Sequence, residues 1–316
     1  MPRGEPGQQM IHALPRPAWI SRSRLSRPRV AALVAWAALA HILTWQGSAL
    51  LGAPATSGAD EAEQGDSLVA IEAGCFMQGA KDNYSDERPR HRLCLPGYQI
   101  HEYEISTADY DRCVRAGRCT SAVAHLASHP TRRLCNSDAP GRGHHPVNCV
   151  TWEQAGTYCA WKGLRLPTEA EWERAAAGPR GGLHPWGKGE ASCQRTVVAE
   201  LEGHRLVPGC GAGTTLPRGA RPADRSALGV RDMAGGVSEW TSDSFDLRAY
   251  KHSAADPSRK QTRGRSRAVR GGSFRTPPRS RLLRVTSRQF SGTWDPTVGF
   301  RCARGGEAAA PPPERP

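Results

Sequence analysis

Ten cysteines, all placed after a basic and apolar N-terminal stretch, constrain this chain more than any other feature. They are Cys75, Cys94, Cys113, Cys119, Cys135, Cys149, Cys159, Cys193, Cys210 and Cys302. Residues 1–29 carry six arginines against the single acid Glu5, and Val30 to Ala55 contains no Asp, Glu, Lys or Arg. A basic flank followed by an apolar run reads as an export signal, and such a flank stays on the cytoplasmic side. Two fates are open: cleavage near Ala53-Pro54-Ala55, or retention as an anchor, because Val30 to Leu51 approaches the ~20 residues that cross a bilayer. Either fate places the remainder outside the cytoplasm of a bacterial-type cell, whether periplasmic, secreted or membrane-anchored. Membrane contact is expected only through this segment.

An even number of cysteines in an oxidising compartment predicts disulfides. Structural zinc is the rival, but the chain has no Cys-x-x-Cys and no His-Glu-x-x-His, the close spacings on which tetrahedral sites draw. Sequence proximity suggests Cys75–Cys94, Cys113–Cys119, Cys135–Cys149 and Cys193–Cys210, which leaves Cys159 and Cys302 to close a very long loop. In the chain-entropy model such a closure stabilises by about 4–5 kcal/mol. Covalent staples suit a chain with 34 Gly and 25 Pro, because irregular backbone buries little apolar surface against the entropy of ordering it.

The expected organisation is an export segment (1–55), an acidic linker (56–66), one domain (67–304) and a Pro/Ala-rich tail (305–316). Within the domain, Thr151-Trp-Glu-Gln154 and Thr168-Glu-Ala-Glu171 are capping boxes. They predict one helix running to Trp161 before Gly163, and another ending at Gly178-Pro179. A third helix is expected from Thr107 to Ala116, stopped by Gly117. Strands are predicted at Leu68–Ile71, Arg92–Ile100, Arg267–Arg270 and Thr297–Cys302. No repeating strand–helix unit is present, so the fold class is α+β, with small antiparallel sheets, few short helices and much irregular chain.

Several blocks then occur in order: Tyr103-Glu-Ile-Ser-Thr107, His145-Pro-Val-Asn-Cys-Val-Thr-Trp152, Gly163-Leu-Arg-Leu-Pro-Thr-Glu-Ala-Glu-Trp-Glu-Arg-Ala-Ala176, Pro185-Trp-Gly187, Leu228-Gly-Val-Arg-Asp-Met-Ala-Gly-Gly-Val-Ser-Glu-Trp240, Arg270-Gly-Gly-Ser273 and Gly299-Phe-Arg301. Over about residues 69 to 303 the chain resembles the formylglycine-generating enzyme family, also called the sulfatase-modifying-factor family. The resemblance implies an irregular C-type-lectin-like fold. It also implies calcium held by side-chain and backbone oxygens, and oxidation of a sulfatase cysteine to formylglycine using oxygen and Cu(I) bound by two cysteines.

The pattern breaks where the chemistry should be. The positions of the family's copper-binding thiols hold Thr276 and Arg281, which cannot supply the soft thiolates that suit Cu(I), so no copper is expected. The resemblance therefore implies a pseudoenzyme acting as a ligand-binding or accessory module. The alternative is a divergent oxidoreductase of the same type acting on protein cysteine. Relatives that use iron add a histidine-bearing helical domain, for which this chain has no segment; His144-His145 reads instead as a solvated or hydrogen-bonded pair. For structural Ca2+, the resemblance implies Asp232 and Glu239 with the carbonyls of Met233, Gly235 and Val237, a set of hard oxygens. The family usually has Asn where Gly236 stands and an aromatic where Ser238 stands. Its second calcium site is expected to be lost at Arg195-Thr-Val-Val198.

Charge supplies the last reading. The formal net charge is +13, and from Arg259 to Arg304 the only acid is Asp295. Arg275, Arg279, Arg281, Arg284 and Arg288 cluster around the vacated thiol positions. Guanidinium forks match carboxylate, sulfate and phosphate, so this cleft is expected to take an anionic ligand: a polysaccharide, a lipid headgroup or an acidic peptide. The competing reading is that these arginines are solvated or ion-paired. Nucleic acid is not expected, because the chain reads as exported and the basic stretch has few aromatics on which bases could stack.

Overall fold

The computed structural model describes residues 67–81, 84–126, 128–255 and 266–305. The predicted export segment, linker and tail, apart from Gly305, lie outside the described residues. Along the chain run β1 (Leu68–Ile71), β2 (Gly74–Gln78), β3 (His91–Leu95), β4 (Tyr98–His101), α1 (Thr107–Arg115), α2 (Trp152–Trp161), α3 (Glu169–Ala177), β5 (Glu200–Glu202), β6 (Arg205–Val207), β7 (Ser238–Ser244), α4 (Ala249–Ala255), β8 (Arg267–Arg270), β9 (Arg288–Ser291), β10 (Val298–Gly299) and β11 (Ala303–Gly305).

Helix ends follow local chemistry. Thr151 and Gln154 cap α2 reciprocally, with Gln154 N donating to Thr151 Oγ1 at 3.2 Å and Thr151 N donating to Gln154 Oε1 at 2.9 Å. Thr168 and Glu171 do the same for α3, satisfying backbone donors that a helix start would otherwise leave orphaned. Gly178 ends α3 at φ 65°, a left-handed conformation that costs glycine little.

The sheets are small: β1-β4-β11, β10-β7-β8-β9, and the hairpins β2-β3 and β5-β6. Pairing is antiparallel except for the two-residue β10–β7 contact, which is parallel. Two predicted strands are each two strands in the structure. The Arg92–Ile100 run divides at Pro96-Gly97 into β3 and β4, which pair in different sheets, because proline has no N–H for a ladder. The Thr297–Cys302 run yields β10 and then β11, joined through Phe300-Arg301-Cys302.

One core cluster gathers Tyr110 of α1, Tyr158 and Cys159 of α2, Trp240 of β7, Val298, Phe300 and Cys302. A second packs Trp172, Ala175 and Ala176 of α3 against Ile71, Tyr98 and Ile100 of β1 and β4, with Tyr98 donating to the Glu171 carbonyl at 2.7 Å. All ten cysteines are bridged, as Cys75–Cys94, Cys113–Cys119, Cys135–Cys149, Cys159–Cys302 and Cys193–Cys210. The pair Cys159–Cys302 spans 143 residues and ties α2 to the segment entering β11.

Candidate functional site

Three arginines among the described residues lie fully inside the protein, which is unusual unless their donors are matched; of those donors only Arg270 Nε lacks a partner there. Arg301 grips both oxygens of Glu239, Nε to Oε2 at 2.7 Å and an Nη to Oε1 at 2.8 Å. Its remaining donors reach the carbonyls of His101, Glu102 and Arg231. Trp172 Nε1 adds a bond to Glu239 Oε2 at 2.9 Å. Arg288 binds Glu169 in the same two-pronged way, at 2.7 and 2.8 Å, beneath the rings of Tyr250 and Phe245. Arg270 donates to Glu173 at 2.6 Å and to the carbonyls of Val285 and Ser287. The Arg288–Glu169 and Arg270–Glu173 pairs brace α3 against β9 and β8, and Arg270 immediately precedes the Gly271–Thr276 turn.

That turn ends at the first vacated thiol position, Thr276, and the second, Arg281, opens the next one. Thr276 is buried; its Oγ1 accepts from Ser273 N at 2.9 Å and lies 3.2 Å from Ser273 Oγ. Arg281 pairs with the buried Glu87 at 3.1 Å, its guanidinium 3.9 Å above the Tyr84 ring. Thr276 therefore holds the turn and Arg281 is tied to Glu87; neither presents a soft donor, and no cysteine of the chain is free.

The five arginines assigned to one cleft are dispersed. Arg279 and Arg284 line a cavity of about 380 Å³ with Leu183, His184, Glu190 and Ser280, and neither forms an ion pair among the described residues. Arg275 is exposed and outside this cavity. Arg281 is committed to Glu87, and Arg288 is corrected outright: it is 1% exposed and bound to Glu169, so it presents nothing to a ligand. His184 bonds the Leu283 carbonyl through Nδ1 at 2.9 Å, and burial lowers its pKa, so the ring is neutral at pH 7. It stacks on Trp186, centroids 4.8 Å apart. Trp186 in turn walls a second cavity of about 470 Å³ with Arg180 and Arg225. The Pro185-Trp186-Gly187 block was the only sequence signal for that second cavity; nothing in the sequence linked Arg180 or Arg225 to it. His145 bonds Thr215 at 2.8 Å in a separate part of the domain.

Residues 53–305 match the family model for the sulfatase-modifying factor enzyme 1-like domain. The chain belongs to this family. It is 37% identical over 259 residues to a formylglycine-generating enzyme of Streptomyces coelicolor, covering 69% of this chain and 81% of that protein. It is 31% identical over 250 residues to the serine/threonine-protein kinase Pkn1 of Chlamydia trachomatis, covering 75% of this chain and 38% of that protein. The chain thus spans well under half the length of the chlamydial relatives it matches. Among solved structures, PvdO from Pseudomonas aeruginosa superposes with a TM-score of 0.59 at 23% identity, covering 75% of this chain and 94% of that one, which shows a shared fold.

For a sulfatase-modifying factor enzyme domain, the calcium ligands implied by resemblance can be tested against these residues. They do not fit as a set. Glu239 is closed off by Arg301 and Trp172. Asp232 Oδ2 accepts from Gly219 N at 2.6 Å, and no three His, Cys, Asp or Glu side chains converge at metal-binding distance among the described residues. The Met233 carbonyl faces Gly271, where an added Cβ would lie 2.9 Å away, while Val237 is buried beside Gly299. Asp232 and Gly235 instead line a small cavity with Glu104, Asp224 and Arg218; Glu104 belongs to the Tyr103–Thr107 block, whereas Asp224 lies in none of the blocks. Among the described residues, both oxygens of Glu104 and Oδ1 of Asp224 have no hydrogen-bond partner. Burial raises Glu104 well above the usual carboxylate range, with Asp232 adding to it, and burial together with Asp232 raises Asp224 to about 7.

Proposed function

We propose that this chain is an extracytoplasmic sulfatase-modifying factor domain that does not generate formylglycine and instead binds an anionic polysaccharide. The observation that carries the reading is the pairing of two facts at one turn. Every cysteine is consumed in a disulfide, and beyond Thr276 Arg279 and Arg284 line an open cavity and form no ion pair among the described residues. Five disulfides support an oxidising compartment.

A saccharide is favoured over a lipid headgroup or an acidic peptide by the Trp186 ring, which lines the Arg180/Arg225 cavity and stacks on the buried His184 lining the Arg279/Arg284 cavity. Flat rings between two cationic recesses suit a chain of sugar rings with acidic groups at intervals. Aromatic faces cover apolar sugar faces while guanidiniums bind sulfate or carboxylate in fork geometry. Glu190 on the cavity wall disfavours an anion bound against that side.

The test is calorimetric titration of the full chain with a sulfated oligosaccharide, its desulfated form, anionic vesicles and a poly-glutamate peptide. Binding to the sulfated sugar alone is expected, weakened at least tenfold by Arg279→Ala/Arg284→Ala and weakened by salt. Preference for vesicles or peptide, or affinity indifferent to both the substitutions and salt, would refute the ligand class. Incubation with Cu(I) and a cysteine-containing sulfatase-motif peptide should leave that cysteine unchanged by mass spectrometry; formylglycine would sink the non-catalytic reading.

A further inference from the structure

The disulfide Cys75–Cys94 differs from the other four in where it lies. It joins residues directly opposite each other on β2 and β3, and both cysteines are exposed. The cysteines of the Cys113–Cys119, Cys135–Cys149 and Cys159–Cys302 pairs are buried, and Cys193 and Cys210 are half-buried. Side chains alternate between the faces of a strand, so Met77 and Arg92, two residues further along the hairpin and opposite one another, share the outer face and are exposed with the disulfide.

Other contacts hold the hairpin in place. Phe76, Gln78, His91 and Leu93 point inward and are buried. The ladder runs unbroken from Gly74↔Leu95 to Gln78↔His91. At its open end Arg174 of α3 binds the carbonyls of Gly74 and Leu95, the residues next to the two cysteines, at 2.9 and 3.5 Å. At its other end Gly79 N donates to Glu173 at 2.6 Å. Opening the S–S bond would therefore leave two thiols facing each other across a hairpin that stays anchored, poised to close again.

We propose that Cys75–Cys94 is a thiol–disulfide exchange site, opened by external thiols or dithiols while the domain remains folded. An attacking thiolate bonds to one sulfur of the pair and expels the other as a thiolate, which takes up a proton. A second external thiol then displaces the first from the mixed disulfide. Two external thiols become one external disulfide, and Cys75 and Cys94 become thiols. The attack needs a sulfur that solvent can reach, which the buried pairs do not offer. Nearby positive charge favours departure of a thiolate. Arg92 supplies it on the same face and Arg174 beside the flanking carbonyls, and neither β2 nor β3 contains an Asp or Glu.

The test exposes the folded, oxidised full chain to rising dithiothreitol. Free thiols are trapped with N-ethylmaleimide and located by peptide mass spectrometry, and near-UV circular dichroism follows the tertiary structure in parallel. Cys75 and Cys94 should be labelled together at a concentration at least ~10-fold below that opening any other pair, with the near-UV signal retained. Oxidised glutathione added after removal of the reductant should restore the bond. Labelling of another pair first, or labelling of Cys75 and Cys94 only as the near-UV signal is lost, would overturn the proposal. Cys75→Ser/Cys94→Ser should still unfold cooperatively, with Tm lowered by about 6–12 °C for the loss of a short loop closure. A variant that does not fold would show that the bond is structural and refute the exchange role.

Discussion

Replacing Arg301 by methionine should destabilise the domain by about 3–5 kcal/mol, the usual cost of leaving one member of a buried ion pair unpartnered. The structure supports the upper half of that range. The substitution strips Glu239 of its bonds at 2.7 and 2.8 Å, leaving only Trp172 on a carboxylate that is 1% exposed, and removes one donor each from the carbonyls of His101, Glu102 and Arg231, of which Glu102 keeps the Arg231 N–H. At roughly 2–4 °C per kcal/mol for a domain of this size, Tm should fall by ~10–15 °C. Thermal unfolding with disulfides intact measures it. The decisive comparison is Arg301→Met/Glu239→Gln, which removes both charges and should cost less than the sum of the single substitutions, because the buried carboxylate is gone as well. A loss below ~1 kcal/mol for Arg301→Met, or strict additivity in the double variant, would show that the pair does not carry the load assigned to it.

Two further outcomes follow from the same framework. Converting Cys159 and Cys302 to serine opens a loop of 143 residues and should lower stability by about 5 kcal/mol in the chain-entropy model, against a smaller loss for Cys113 and Cys119, which close only six; denaturant titration of both pairs checks the order. Asp243, whose Oδ2 accepts from Glu169 N at 2.6 Å, is raised to about 6, chiefly by burial and then by the Glu169 carboxylate. A raised carboxyl contributes stability that is full below its unfolded value near 4 and is lost as pH rises through 6, so Asp243→Asn should flatten the wild-type decline in stability between pH 4 and 6. An unchanged slope would remove Asp243 from the account.

What the sequence could specify by itself was whatever acts over a few residues or follows from residue type alone. The two capping boxes close at i to i+3, and four of the five disulfides join near neighbours in sequence. Thr276 and Arg281 told against copper chemistry because no packing can make a hydroxyl or a guanidinium into a thiolate. Tertiary structure decided which charge meets which. Arg288 and Arg275 are indistinguishable in a basic stretch, yet one is bound to Glu169, 119 residues earlier, and the other faces solvent. Glu239 matched a calcium ligand by position, but Arg301 reaches it from 62 residues away. Asp224 lies in none of the sequence blocks; it and Glu104 come to line one small cavity only because segments far apart in the chain converge there. The reason is that a carboxylate's role depends on its counter-charge and its hydration. Both are set by where the chain passes in space, across separations that no local pattern records.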